Sequence, residues 1–184
     1  MRKIYLSVIS VFMMLCLFSC SMPSAEKISA ENHLSEAFEK SAVINLDKLC
    51  SECTISRYGE GDWEVVFDSP NTLSGVSLKF CEGNVSASYK GLNFSVPKTA
   101  FPIKSMLLCL VEAVDTNARL EQISGIEKDG MIEISGSLEA GEYILTLNKD
   151  GSVHSFDMPN NLLSIRLTDK EAGNDGGSDE DVPE

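Results

Sequence analysis

A chain of 184 residues with 28 acids, 15 bases and a formal net charge of −13 is sized for one domain with a sizeable core. Such an acid excess repels phosphate backbones and excludes nucleic-acid binding as a working reading. It also opposes anionic headgroups, so the expectation is a protein that reaches a membrane without electrostatic help.

The first element is an address. Arg2 and Lys3 precede an apolar block from Ile4 to Phe18, the layout of a secretory signal. As a helix those 15 residues cover only ~22 Å, against a hydrocarbon core of ~30 Å. A permanent span is therefore disfavoured. The block closes on Leu17-Phe18-Ser19-Cys20, which resembles the bacterial lipobox: leucine, a tolerated residue and a small residue before an obligatory cysteine. The resemblance implies that Cys20 receives a diacylglycerol thioether and becomes the mature N-terminus. Further acylation of its amine, with palmitate for example, supplies the two or three chains that stable anchoring takes. The alternative is an ordinary cleaved secretory signal with no lipid.

The expected organisation is a signal at 1–19, a tether at 20–25, a domain at 26–168 and a disordered acidic tail at 169–184. Loss of Arg2 and Lys3 takes the formal charge from −13 to −15. The tail from Glu171 holds six acids, three glycines and no base, with no apolar period, and is expected to stay solvated.

Within the domain, Ile28, Leu34, Ala37, Phe38 and Ala42 fall near helical spacing, which predicts an amphipathic helix from Glu26 to about Ala42. The segment "LCSECTISR" reads as a strand. Its Cys50-x-x-Cys53 spacing invites a zinc or redox reading. In a strand, however, residues three apart point to opposite faces, so the two thiols cannot share a metal. Cys81 and Cys109, 28 residues apart, offer no second close pair. The four are expected to be buried thiols or disulfides, and no metal or cofactor is expected.

The period then turns to two. Trp63, Val65 and Phe67 alternate with Glu64 and Asp68, and Val76, Leu78 and Phe80 with Ser77 and Lys79. A turn at Glu82-Gly83-Asn84 leads to Val85, Ala87 and Tyr89, so this stretch is an antiparallel hairpin with one apolar face. From Pro102 to Ala118 a wide apolar stripe, with Leu107 and Leu110 in it, predicts a mostly buried helix. Strands resume with Ile132 and Ile134, then Tyr143, Leu145 and Leu147, then "SVHSFDM" after the turn Asn148-Lys149-Asp150-Gly151, then Leu163, Ile165 and Leu167.

The predicted order is helix, about four strands, helix, and four or five strands: an α+β fold with a curved antiparallel sheet wrapped around an apolar helix. The stretches "WEVVFDSPNTLSGVSLKF", "YKGLNFSVP" and "DGMIEISGSLEAGEYILTLNKDGSVHSF" resemble the LolA/LolB-like and LppX/LprG-like half-barrel lipoprotein-carrier superfamily over roughly residues 26–168. The resemblance implies an unclosed barrel that holds a lipid or other hydrophobic ligand between the central helix and the sheet. Trp63, Val65, Phe67, Leu107 and Leu110 are its candidate lining residues; the alternative is that they fill a closed core. The chain's own lipobox favours a tethered acceptor, chaperone or sensor over a released shuttle.

Enzymatic chemistry finds little support. His33 stands among polar neighbours, and His154 is in phase with Phe156 and Met158, which places it on the core side of its strand. Glu60 and Asp62 sit in the turn "YGEGD". No nucleophile elbow, phosphate loop or zinc-protease helix is present in the sequence. The expectation is a lipid-anchored, non-enzymatic binding module outside the bacterial cytoplasm. The rival is a surface interaction module with a filled core and a protein partner.

Overall fold

The computed structural model describes residues 27–100 and 106–170. The signal, Cys20, the tether, Pro102 and the tail from Glu171 lie outside the described residues.

Among the described residues seven strands precede the helix: β1 (Lys27–Glu31), β2 (Phe38–Leu46), β3 (Leu49–Gly59), β4 (Asp62–Phe67), β5 (Ser77–Cys81), β6 (Asn84–Tyr89) and β7 (Leu92–Pro97). After α1 (Met106–Ala118) come β8 (Gln122–Lys128), β9 (Met131–Leu138), β10 (Gly141–Leu147), β11 (Val153–Met158) and β12 (Leu163–Asp169). These twelve strands form one antiparallel sheet in the order β1-β8-β9-β10-β11-β12-β2-β3-β4-β5-β6-β7. Two meanders, β2 to β7 and β8 to β12, are zipped together where β12 pairs with β2, from Leu163↔Leu46 to Asp169↔Lys40. β12 thus runs one residue past the boundary expected at 168.

The sheet is open, with β1 and β7 at its edges. The link between β7 and β8 must therefore travel from one edge almost to the other, and α1 lies on that path. Laid flat, twelve strands would span roughly 50 Å, while one helix is only about 10–12 Å across. Yet residues of β2 to β6 and of β8 to β12 join α1 in a single buried cluster. Only a curved sheet brings so many strands to one helix, and nine of the thirteen residues of α1 are buried there.

The N-terminal helix is corrected. Residues 27–46 form β1, a turn and β2 instead. Asn32 causes the break: its side-chain oxygen accepts from the Leu34 amide at 3.0 Å, and the Glu36 amide donates to the His33 carbonyl at 3.1 Å. The first is a local side-chain bond that competes with a helix, and the second closes the turn. Beyond the turn Lys40, Ala42 and Ile44 point inward and are buried. A lysine at an inward position hid the period of two; its ammonium emerges to meet Asp169 Oδ1 at 2.8 Å. The expected "about four strands" before the helix becomes seven: β1 and β2 occupy the segment that reads as a helix, and β7, short and alternating with uncharged polar residues, adds the third.

A polar pin fixes the helix against the sheet. Asp115 on α1 is buried and accepts four hydrogen bonds. Arg57 of β3 donates to Oδ1 through Nε at 3.2 Å and Nη2 at 3.1 Å. The Gly61 amide and Trp63 Nε1 donate to Oδ2 at 2.8 and 3.2 Å. Arg57 Nη1 donates to the carbonyls of Ser35 and Glu36 at 2.7 and 3.2 Å. Both charges are thereby satisfied, the condition under which a buried pair is tolerated. Asn32 Nδ2 donates to the carbonyls of Asn117, in the last turn of α1, and of Leu120, just beyond it, at 2.8 and 2.6 Å, tying the helix end to the turn after β1.

Candidate hydrophobic-ligand site

All five candidate lining residues belong to the buried cluster. Trp63, Val65, Phe67, Leu107 and Leu110 are between 0% and 5% exposed. Trp63 is held by its bond to Asp115, by Phe38 edge-on at 5.5 Å and by the Arg57 guanidinium 5.7 Å from its ring. At these five positions the space between α1 and the sheet is occupied by the protein's own side chains.

Open apolar surface lies elsewhere on the same face. Val65 pairs with Leu78, Leu78 with Ala87, and Ala87 with Phe94. In the next row Trp63 pairs with Phe80, Phe80 with Val85, and Val85 with Val96. Directly paired residues share a face, so the inner apolar face runs without interruption from β4 to β7. Its cover does not. Val85 and Ala87 are 1% and 7% exposed, whereas Phe94 is 63% and Leu92 73% exposed. The β7 end of the half-barrel is an apolar shelf.

A second opening, a cleft of about 270 Å³, lies where α1 begins, between Met106 and Cys109 on the helix and Leu46, Met158 and Leu163 on the sheet. It falls just under the ~300–1,000 Å³ usual for small-molecule sites.

The reactive side chains are scattered. Cys50 is exposed and Cys53 buried, on opposite faces of β3. Burial, with a smaller contribution from Asp68, pushes the Cys53 thiol up to about 12, and burial raises Cys109 as well. His33 Nδ1 lies 2.9 Å from Glu36 Oε1, and this bond raises its pKa, with Glu31 and Asp150 adding to it. Among the described residues no three His, Cys, Asp or Glu side chains gather as a metal group. His154 departs from its expected place. The register of β10 and β11 shifts there, with Thr146 opposite Ser155 but Leu147 opposite Val153. His154 is the extra residue of this bulge. The inward positions become Val153 and Phe156, both buried, and His154 is half-buried. Glu60 accepts from Arg119 Nε at 3.0 Å, and Asp62 opens β4.

Sequence reasoning missed Arg57, Asp115 and the exposure of β7. Arg57 and Asp115 are 58 residues apart, and nothing local to either announces a partner. For β7, "LNFSVP" alternates as the buried strands do; only its place at the edge distinguishes it.

No family model and no curated protein matches this chain. Among solved structures it is similar to an uncharacterised conserved protein from Thermus thermophilus, at 12% identity and a TM-score of 0.42, over 71% of this chain and 76% of that one. It is also similar to a LolA superfamily protein from Nitrosomonas europaea, at 8% identity and a TM-score of 0.32, over 75% of this chain and 66% of that one. At such scores neither structure transfers a ligand or a residue's role. The open, curved antiparallel sheet around one helix stands on this chain's own topology.

Proposed function

We propose that this protein is a lipid-anchored, extracytoplasmic, non-enzymatic module that binds a lipid or other hydrophobic ligand on the inner face of its half-barrel. One observation carries the reading: the apolar inner face continues beyond its cover to Phe94 and Leu92, 63% and 73% exposed. A soluble domain rarely leaves neighbouring large apolar side chains open unless something docks on them. The ligand therefore lies along β6 and β7, outside the filled centre. The lipobox at Cys20 supports attachment of the module to a membrane.

Native mass spectrometry and a fluorescent fatty acid test the ligand, using residues 20–184 with Cys20→Ala; this chain contains every described element. The expected result is bound acyl mass, with probe affinity at least about tenfold lower in Phe94→Glu, since a charge cannot share an apolar contact. Absence of both acyl mass and probe binding overturns the reading. The anchor is tested separately: in the full chain Cys20→Ala is expected to block maturation and partition into detergent. Normal maturation and partition of that variant would remove the anchor.

A surface interaction module remains the second reading, favoured by the filled centre and the unpaired edge of β7. The Lys98 amide donates to the Gly83 carbonyl. Alternation along the ladder then makes 85/96, 87/94 and 89/92 the bonded pairs and turns the backbone groups of Asn93 and Ser95 outward. An extended peptide could add there as a strand. A peptide that protects these amides from exchange while no acyl chain binds would select this reading.

A further inference from the structure

The net charge conceals a region of opposite sign. Between Glu82 and Glu112 the sequence has no acid, and it carries Lys90, Lys98 and Lys104. In a chain of net charge −13, an acid-free run of that length is a segregation of charge. The run contains β6, β7 and the exposed shelf.

The geometry adds direction. The two-residue turn between β6 and β7 is Lys90-Gly91, with φ of 49° and 82°. Lys90 is exposed there, its ammonium 5.0 Å from the Tyr89 ring. Lys98, also exposed, stands just past the other end of β7. A six-residue strand separates them by about 20 Å. Between the two cations lie Phe94 and Leu92, the latter the most exposed large apolar side chain among the described residues. Cations flanking an aromatic and aliphatic strip are the composition of interfacial membrane contacts. The outward backbone groups of Asn93 and Ser95 need water, so the strip suits headgroup depth and not the hydrocarbon core.

We propose that the β6–β7 hairpin is a membrane-docking surface, which lays the edge of the half-barrel on an anionic bilayer with Leu92 and Phe94 in the interface and Lys90 and Lys98 against headgroups. The protein is then oriented on the membrane despite its overall negative charge, with the apolar shelf facing the source of its ligand. Docking depends on neither the lipid at Cys20 nor a bound acyl chain.

Vesicle flotation of residues 20–184 carrying Cys20→Ala, with and without phosphatidylglycerol in phosphatidylcholine, tests it. Binding is expected to the anionic vesicles alone, to weaken with salt, and to fall about tenfold or more in Lys90→Glu/Lys98→Glu. Leu92→Ser is expected to weaken it too, while Leu120→Ser, exposed elsewhere, leaves it unchanged. Fatty-acid probe binding in the lysine variant is expected to persist, which separates docking from the ligand reading. Equal binding to neutral and anionic vesicles, no binding to either, or binding indifferent to the lysines overturns the proposal. A β7-dependent dimer that floats with neither vesicle overturns it equally.

Discussion

The two halves of the inner face obey the same alternation and meet different fates. From β2 to β4 the inward side chains are sealed by α1, and the seal is fastened by Asp115, Arg57 and Trp63. From β5 to β7 the inward side chains grade from Phe80 at 5% exposed to Leu92 at 73%. Burial in this fold is therefore set by what lies over a strand more than by the strand's own sequence. Among the described residues a single helix seals only part of the twelve-stranded sheet, and the β7 end stays open.

The largest expected effect breaks the sealed half. Asp115→Ala leaves the Arg57 guanidinium buried without its counter-charge, which is expected to cost about 3–5 kcal/mol in urea unfolding. Leu110→Ala, 1% exposed, is expected to cost ~2–5 kcal/mol through lost transfer energy and a cavity. Asn32→Ala removes two bonds to the helix end and is expected to cost about 1 kcal/mol. In the open half, Phe94→Ser is expected to change stability by less than ~0.5 kcal/mol while weakening fatty-acid binding. A large stability loss there would mean that the shelf is core, and the contrast between the halves would fail.

Thiol chemistry sharpens the same contrast between covered and open positions. Iodoacetamide at neutral pH is expected to modify exposed Cys50 and to spare Cys53, whose thiol burial holds up to about 12. Mass mapping of the native protein checks this. The smallest effect concerns His33. Its folded-state pKa is raised above 6.5, chiefly by the bond to Glu36. Its contribution is therefore fully present below 6.5 and is lost as pH rises through the raised value. A shallow fall in the urea midpoint is expected as the pH is taken above 6.5, and His33→Gln should flatten it.

Where alternation was unbroken the sequence was legible. The rows Trp63-Val65-Phe67, Val85-Ala87-Tyr89 and Leu163-Ile165-Leu167 became β4, β6 and β12, and the stripe from Leu107 onward became α1. It was misleading where an inward position is charged, as at Lys40, or where a bulge changes the phase, as at His154. The charge segregation around β7 was present in the residue order, but a net total of −13 averages it away.

Outside Lys27–Leu46 and the bulge at His154, local pattern thus determined which segments extend, which one coils and which side of each is apolar, because those depend on neighbours one to four residues apart. Tertiary structure alone decided that β12 closes on β2, that Arg57 meets Asp115, and that β7 ends up at an edge with its phenylalanine in the open. Those outcomes follow from strand order and from the path of one helix across the sheet, and no short stretch of sequence encodes either.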